Sequence, residues 1–203
     1  MKLKLMEVAA VLSLFICVIS CLSFEKECDT VRGKIMRLHV IANSDSTCDQ
    51  TLKLKVRDRI LSESESIFKK AGSLEEAEIN IKEGLPKLQE CAQKEIAKQG
   101  YNYTVSVKAE PSYFPTRTYE NVTLPAGYYK SLKVIIGEGK GKNWWCVLFP
   151  PMCLPAAEKE EDVLSNVLDE KEKQLVFSKP KYEIRFWIVE KFQEFKISHK
   201  RKG

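Results

Sequence analysis

The stretch from Leu124 to Cys153, LPAGYYKSLKVIIGEGKGKNWWCVLFPPMC, constrains the fold of this chain more than any other. Leu132 to Ile136 and Trp144 to Phe149 read as strands, because β-branched and aromatic residues suit a pleated surface and both runs are bounded by turn residues. The link between them, GEGKGKN, offers Gly137, Gly139 and Gly141 for positive φ. The expectation is a long hairpin with a basic, flexible tip, whose second strand carries Trp144, Trp145 and Cys146. A phosphate cradle would need a helix after the glycines, since the unpaired N–H groups of a helix N-terminus hold the anion. A strand follows instead, and the glycine spacing fits neither the dinucleotide nor the NTP fingerprint.

The chain has 203 residues, enough for one well-buried domain. Lys2 and Lys4 precede an apolar run from Val8 to Leu22, the layout of a secretory signal or N-terminal anchor over residues 1–23. Three fates fit this layout: cleavage after Ser23, lipidation at Cys21 in the box Val18-Ile19-Ser20-Cys21, or an uncleaved anchor slightly short of the ~20 residues of a spanning helix. Export makes the cysteines informative, because thiols outside the cytoplasm can be oxidised. Cys146 and Cys153 flank Phe149-Pro150-Pro151, a turn compatible with a disulfide, although two buried thiols acting as small apolar residues fit the same spacing. The net charge of +5 is mild, and acidic residues are spread among the basic ones, which excludes a nucleic-acid stripe.

Residues 24–32 are polar and read as a linker before a core domain over 33–155. Ile35 to Ala42 alternates as a strand. Ser46 with Asp49, and Ser73 with Glu76, are capping-box signals that open two helices, the second interrupted or kinked at Pro86 and ended by Gly100. Tyr103 to Lys108 alternates as a further strand, and Thr116 to Tyr119 is a short extended piece. Residues 156–203 comprise a charged linker or weak helix and then an amphipathic helix, with Ile184, Ile188, Phe192 and Phe195 at helical spacing. Packing on the core is the expected use of that face; peripheral association with a membrane is the alternative. The pattern describes an α+β domain with a mostly antiparallel sheet and helices covering one face, preceded by the N-terminal signal or anchor segment.

His39, Asn43, Asp45 and Asp49 stand together at the end of a strand and the start of a helix, where a His base oriented by a carboxylate would be built. Turn and cap preferences account for the same residues without chemistry. Cys146 with His39 is the other conceivable nucleophile and base. With either set the chain would be an exported hydrolase. Tyr128, Tyr129, Trp144 and Trp145 are the candidate partner-binding residues, since Tyr and Trp dominate binding hot spots. On alternation, one Trp of the pair faces the core and the other faces away. No motif calls for a metal or a cofactor.

Two blocks, RLHVIANSDSTCDQTLKLKVRD (Arg37 to Asp58) and the Leu124 to Cys153 stretch, occur together. Over roughly residues 33–155 this combination resembles the stage II sporulation protein R family of endospore-forming bacteria. The resemblance implies a protein made in the forespore and exported into the space between the two membranes. There it would activate a membrane-embedded aspartic protease of the mother cell, which cleaves the sigma-E precursor. It implies a signalling ligand rather than an enzyme, and it brings no catalytic residue set onto this chain.

Overall fold

The computed structural model describes residues 2–68, 71–119, 122–151, 164, 166–177 and 183–200. Five helices are described: α1 (Lys2–Gly33), α2 (Thr47–Phe68), α3 (Leu74–Lys98), α4 (Glu170–Phe177) and α5 (Glu183–Lys200). Seven strands accompany them: β1 (Met36–Ile41), β2 (Val105–Ala109), β3 (Ser112–Phe114), β4 (Arg117–Tyr119), β5 (Val122–Leu124), β6 (Gly127–Ile136) and β7 (Asn143–Phe149). This is an α+β fold. The main sheet runs β2-β6-β1-β7, with β3 added along β6, and β4 and β5 form a separate ribbon. Among the described strands the β1–β6 pair alone is parallel, and the other four pairings are antiparallel.

The expected hairpin is therefore split. β6 and β7 are antiparallel neighbours in sequence, but β1 lies between them, pairing Val40 with Val134 on one side and with Trp144 on the other. The glycine-containing link spans two strand spacings, ~10 Å, instead of one. What drives the insertion is burial. Leu38 and Val40 are fully buried against α2 and α3, while Arg37 and His39, on the opposite face, are buried as well. A strand covered on both faces belongs in the middle of a sheet.

The helical layer on the first face follows from spacing. In α2, Leu52, Val56 and Ile60 recur every four residues; in α3, Ala77, Ile81, Leu88, Ala92 and Ile96 do the same work, and both stripes join Leu132, Val134 and Ile136 in one core. Both capping signals are realised: Asp49 N–H donates to Ser46 Oγ at 3.1 Å, and Glu76 N–H to Ser73 Oγ at 3.2 Å. Pro86 does not split α3, which runs through it as one element. Pro86 and Lys82, whose carbonyl loses its donor, both lie on the exposed side, where that carbonyl is open to solvent.

A second core lies on the other side of the sheet and joins Phe24, Cys28, Val31 and Ile35 to Phe114, Leu124, Tyr129, Val147, Leu175, Val176, Phe186 and Val189. The expected linker at 24–32 is thus the last part of α1. Its polarity is one-sided: Phe24, Cys28 and Val31 point inward at helical spacing, and Lys26, Glu27, Asp29 and Thr30 face outward. Arg32, itself buried, donates to Glu25, to Asp29 and to the Ala126 carbonyl, tying α1 to the turn before β6. The charged segment after residue 156 contains α4, opened by a capping box in which Asp169 Oδ1 accepts from Glu172 N–H while Glu172 Oε2 accepts from Asp169 N–H. Glu172 also accepts from Lys34 Nζ at 2.6 Å, so the box fastens α4 to the end of α1. The expected boundary at 155/156 lies outside the described residues.

Candidate functional site

Alternation along β1 places Arg37 and His39 side by side on the face crossed by the segment from β3 to β4. Arg37 has no exposed surface. Its guanidinium carbon lies 4.2 Å from the Phe114 ring centroid, 4.9 Å from that of Tyr129 and 5.8 Å from that of Tyr119. Nη2 donates to the Tyr119 hydroxyl at 2.5 Å, whereas Nε and Nη1 have no partner among the described residues. A buried cation ordinarily has a carboxylate beside it; among the described residues three π faces and one hydroxyl stand in that place.

His39 packs between Phe114 and Trp145, with ring centroids 5.7 and 6.0 Å away. Its Nε2 meets Asn143 Oδ1 at 3.0 Å, and its Nδ1 is buried with no partner among the described residues. Burial pushes its pKa below the usual value, and the charges of Lys133 and Arg37 push in the same direction against the Asn143 bond. These influences favour the neutral ring. Trp145 Nε1 is also buried, with no partner among the described residues, while Arg117 stacks on the indole at 4.4 Å. Arg37, Asn143, Tyr119 and Phe114 were not legible as site residues; the available signal was the alternation of Arg37 with His39 on one face of a strand.

Asp45 and Asp49 do not orient His39. Asp49 Oδ2 accepts from Asn43 Nδ2 at 2.9 Å and Ser44 Oγ at 2.6 Å. Burial raises its pKa, but hydrogen bonds from Ser44, Asn43, Tyr103 and Ser46 outweigh that and hold the carboxyl below its usual range. Asn43 Oδ1 in turn accepts from Glu138 N–H, its carbonyl accepts from Lys140 N–H, and Asp45 Oδ1 accepts from Lys142 N–H at 2.7 Å. Lys53 Nζ reaches the Lys142 carbonyl at 2.9 Å. The segment expected as a flexible tip is pinned along its length. Gly137, at φ +56°, and Gly141, where a Cβ would run into the Ser44 carbonyl, let the two backbones approach this closely. Asn43, Asp45 and Asp49 hold the β6–β7 connection across the end of β1.

The four aromatic candidates divide. Tyr128 is 51% exposed and Trp144 36%, with Arg57 over the Trp144 ring at 4.2 Å, whereas Tyr129 is buried and donates from its hydroxyl to the Pro125 carbonyl. Trp145 is half-buried beneath Arg117, so one Trp of the pair does face inward. By register, Tyr128 and Trp144 stand six strand positions apart, about 20 Å along the sheet, and do not make one patch. Cys146 is disulfide-bonded; Cys153 lies outside the described residues. Cys21, on α1, is half-buried and lines a cleft with Ile188 and Val189 of α5. Among the described residues no three His, Cys, Asp or Glu side chains gather as a metal would need.

These features define a class: an α+β domain carried directly on an apolar helix long enough to cross a bilayer, with exposed aromatics at both ends of its sheet. The stage II sporulation protein R family profile matches residues 32–159, and the chain belongs to that family. A curated relative, stage II sporulation protein R of Bacillus subtilis (strain 168), is 38% identical over 138 residues, which cover 65% of this chain and 62% of the relative. The chain thus matches a little over three fifths of that relative's length. No solved structure matches.

Proposed function

We propose that this protein is an exported signal of sporulation. Made in the forespore and delivered to the space between the two membranes, it binds a membrane-embedded aspartic protease of the mother cell and favours that protease's active state, so that the sigma-E precursor is cleaved. Membership of the stage II sporulation protein R family carries this reading. The apolar α1 supplies a route to the membrane, and the exposed Tyr128 and Trp144 supply contact surface of the kind that binding hot spots use. Activation by contact requires only that the chain bind the active state of the protease more tightly than the inactive one.

The test is an immunoblot of sigma-E precursor in a sporulating strain that lacks its own signal protein but carries this chain together with its cognate protease. Processing is expected to be restored by the chain and equally by His39→Gln, with thermal melts showing that both are folded. Persistent precursor in cells where the chain is made and exported beside its cognate protease would overturn the proposal.

A further inference from the structure

The outward side of α5 is unlike the rest of the domain surface. Trp187 is 59% exposed, Ile188 39%, Phe192 44% and Phe195 59%. On a helical wheel at 100° per residue these four fall in one stripe, while Phe186, Val189 and Gln193, which are buried, fall on the opposite side. The helix is therefore apolar twice over: one side packs on the domain and the other faces outward. A stripe of this size on a short helix marks an interaction surface.

The place of that stripe decides what covers it. Among the described residues α5 meets α1 around one cleft: Val189 and Ile188, the latter at the edge of the stripe, line it with Ser20, Cys21 and Phe24, the Phe186 and Phe24 rings meet edge to face at 5.5 Å, and Gln193 donates to Glu25 at 2.6 Å. These α1 residues straddle the change in its composition. Before them lies the run from Val8 to Leu22, exposed almost throughout and apolar enough for a bilayer core; from Glu25 onward come charges and the buried contacts of the second core. If α1 occupies a membrane, residues 20–25 stand where hydrocarbon gives way to headgroups, the depth that Trp and other aromatic rings favour. Since α1 is one unbroken helix into the domain, α5 is fixed at that depth.

We infer that the outward stripe of α5, Trp187 with Ile188, Phe192 and Phe195, seats in the headgroup region of the bilayer that α1 enters. The occupant is a lipid surface, and the stripe is a second, interfacial contact that holds the domain down on the membrane beside its anchor. Lys191, on the same side of the helix, is paired with Glu194, so the charge that suits anionic lipid comes from the sequence that follows the stripe, Lys196, Lys200, Arg201 and Lys202.

The full chain, reconstituted into vesicles of phosphatidylcholine and phosphatidylglycerol, tests this with Trp187 as the probe. Nitroxide labels are placed either just below the headgroup or near the acyl-chain end, and the emission of Trp187→Phe is subtracted from that of the unmodified chain. Trp187 is exposed, so its replacement leaves the domain core intact. The shallow label is expected to quench the Trp187 component more strongly than the deep one, and an aqueous quencher is expected to reach that component less well than the emission left in Trp187→Phe. Quenching by the aqueous agent with neither lipid label effective would overturn the inference and leave the stripe for a protein partner. Stronger quenching by the deep label would overturn it too, since α5 would then lie within the hydrocarbon.

Discussion

At the residue scale, Arg37 and His39 raise the same question, how a polar side chain survives burial with no acid beside it among the described residues. Arg37 has three aromatic faces and the Tyr119 hydroxyl, but two of its guanidinium nitrogens have no acceptor among the described residues. The charge should therefore stabilise the domain little. Arg37→Met, close in volume and uncharged, is expected to leave stability unchanged or raise it by about 1–4 kcal/mol. Arg37→Ala, which empties the space under Phe114, should lose about 3 kcal/mol. Urea titrations of the two variants measure the difference, and equal losses from both would show that the charge itself carries the contact. His39 yields a pH prediction with a definite sign. Its pKa is lowered from 6.5 in the folded state, so the unfolded chain takes up the proton first. The contribution is complete above 6.5 and is lost as pH falls from there through the folded value. The melting temperature should drop across that window, and His39→Gln should flatten the drop. Lowered carboxyls such as Asp49, Glu63 and Glu78 act further down, below the ordinary values of 3.8 to 4.5. Neither residue's setting could be read from the chain, because the Phe114 and Tyr119 rings that cover Arg37 come from a segment more than seventy residues away.

At the element scale, the capping signals held and the strand-pairing expectation did not. Ser46, Asp49, Ser73 and Glu76 act within a few residues of themselves, so capping chemistry could be read directly. Pairing between strands is settled by burial across the whole sheet, and the rule that neighbouring strands make a hairpin gave way to a β1 that needed cover on both faces. The polar look of residues 24–32 misled for a similar reason: an amphipathic helix end and a linker have like composition, and only the spacing of Phe24, Cys28 and Val31 separates them. Two predictions belong here. A chain starting at Phe24 should fold with the stability of the full domain, whereas one starting at Lys34 loses the burial of Phe24 and Val31, roughly 2 kcal/mol each, from a total typically near 5–15 kcal/mol. Denaturant midpoints of the two truncations compare them, and similar midpoints would mean that α1 only rests on the domain. In the β6–β7 connection, Gly141→Ala sets a methyl against the Ser44 carbonyl and should cost about 2 kcal/mol. Asp49→Ala should cost a similar amount by releasing Asn43 and Ser44. The two losses should fall short of additive when combined, because both free the same loop.

At the scale of the whole molecule, the proposed role as a ligand and the rival role as an exported hydrolase differ in stoichiometry. A ligand that activates a protease by preferring its active state must stay bound to act. The extent of activation follows occupancy and is capped by the difference in affinity for the two states: moving a 1:99 equilibrium to 99:1 takes about 10⁴-fold. An enzyme that cuts or modifies the protease turns over, and a trace of it suffices given time. With protease and sigma-E precursor reconstituted together in vesicles, the initial cleavage rate is measured against added chain. The proposed role predicts a rise that breaks near equimolar chain and protease, and a rate that falls again when the chain is washed out. It also predicts that His39→Gln leaves the curve unchanged, because His39 is held by Asn143 and the Phe114 and Trp145 rings on an inward face. Replacing Trp144 or Tyr128 should shift the break to higher concentration if the contact runs over those rings, and their 20 Å separation makes the two replacements independent tests of opposite ends of the sheet. Full activation by a trace of chain, persisting after its removal, would reject the ligand reading and return attention to the donors around Arg37, His39 and Trp145 as groups that act on a substrate.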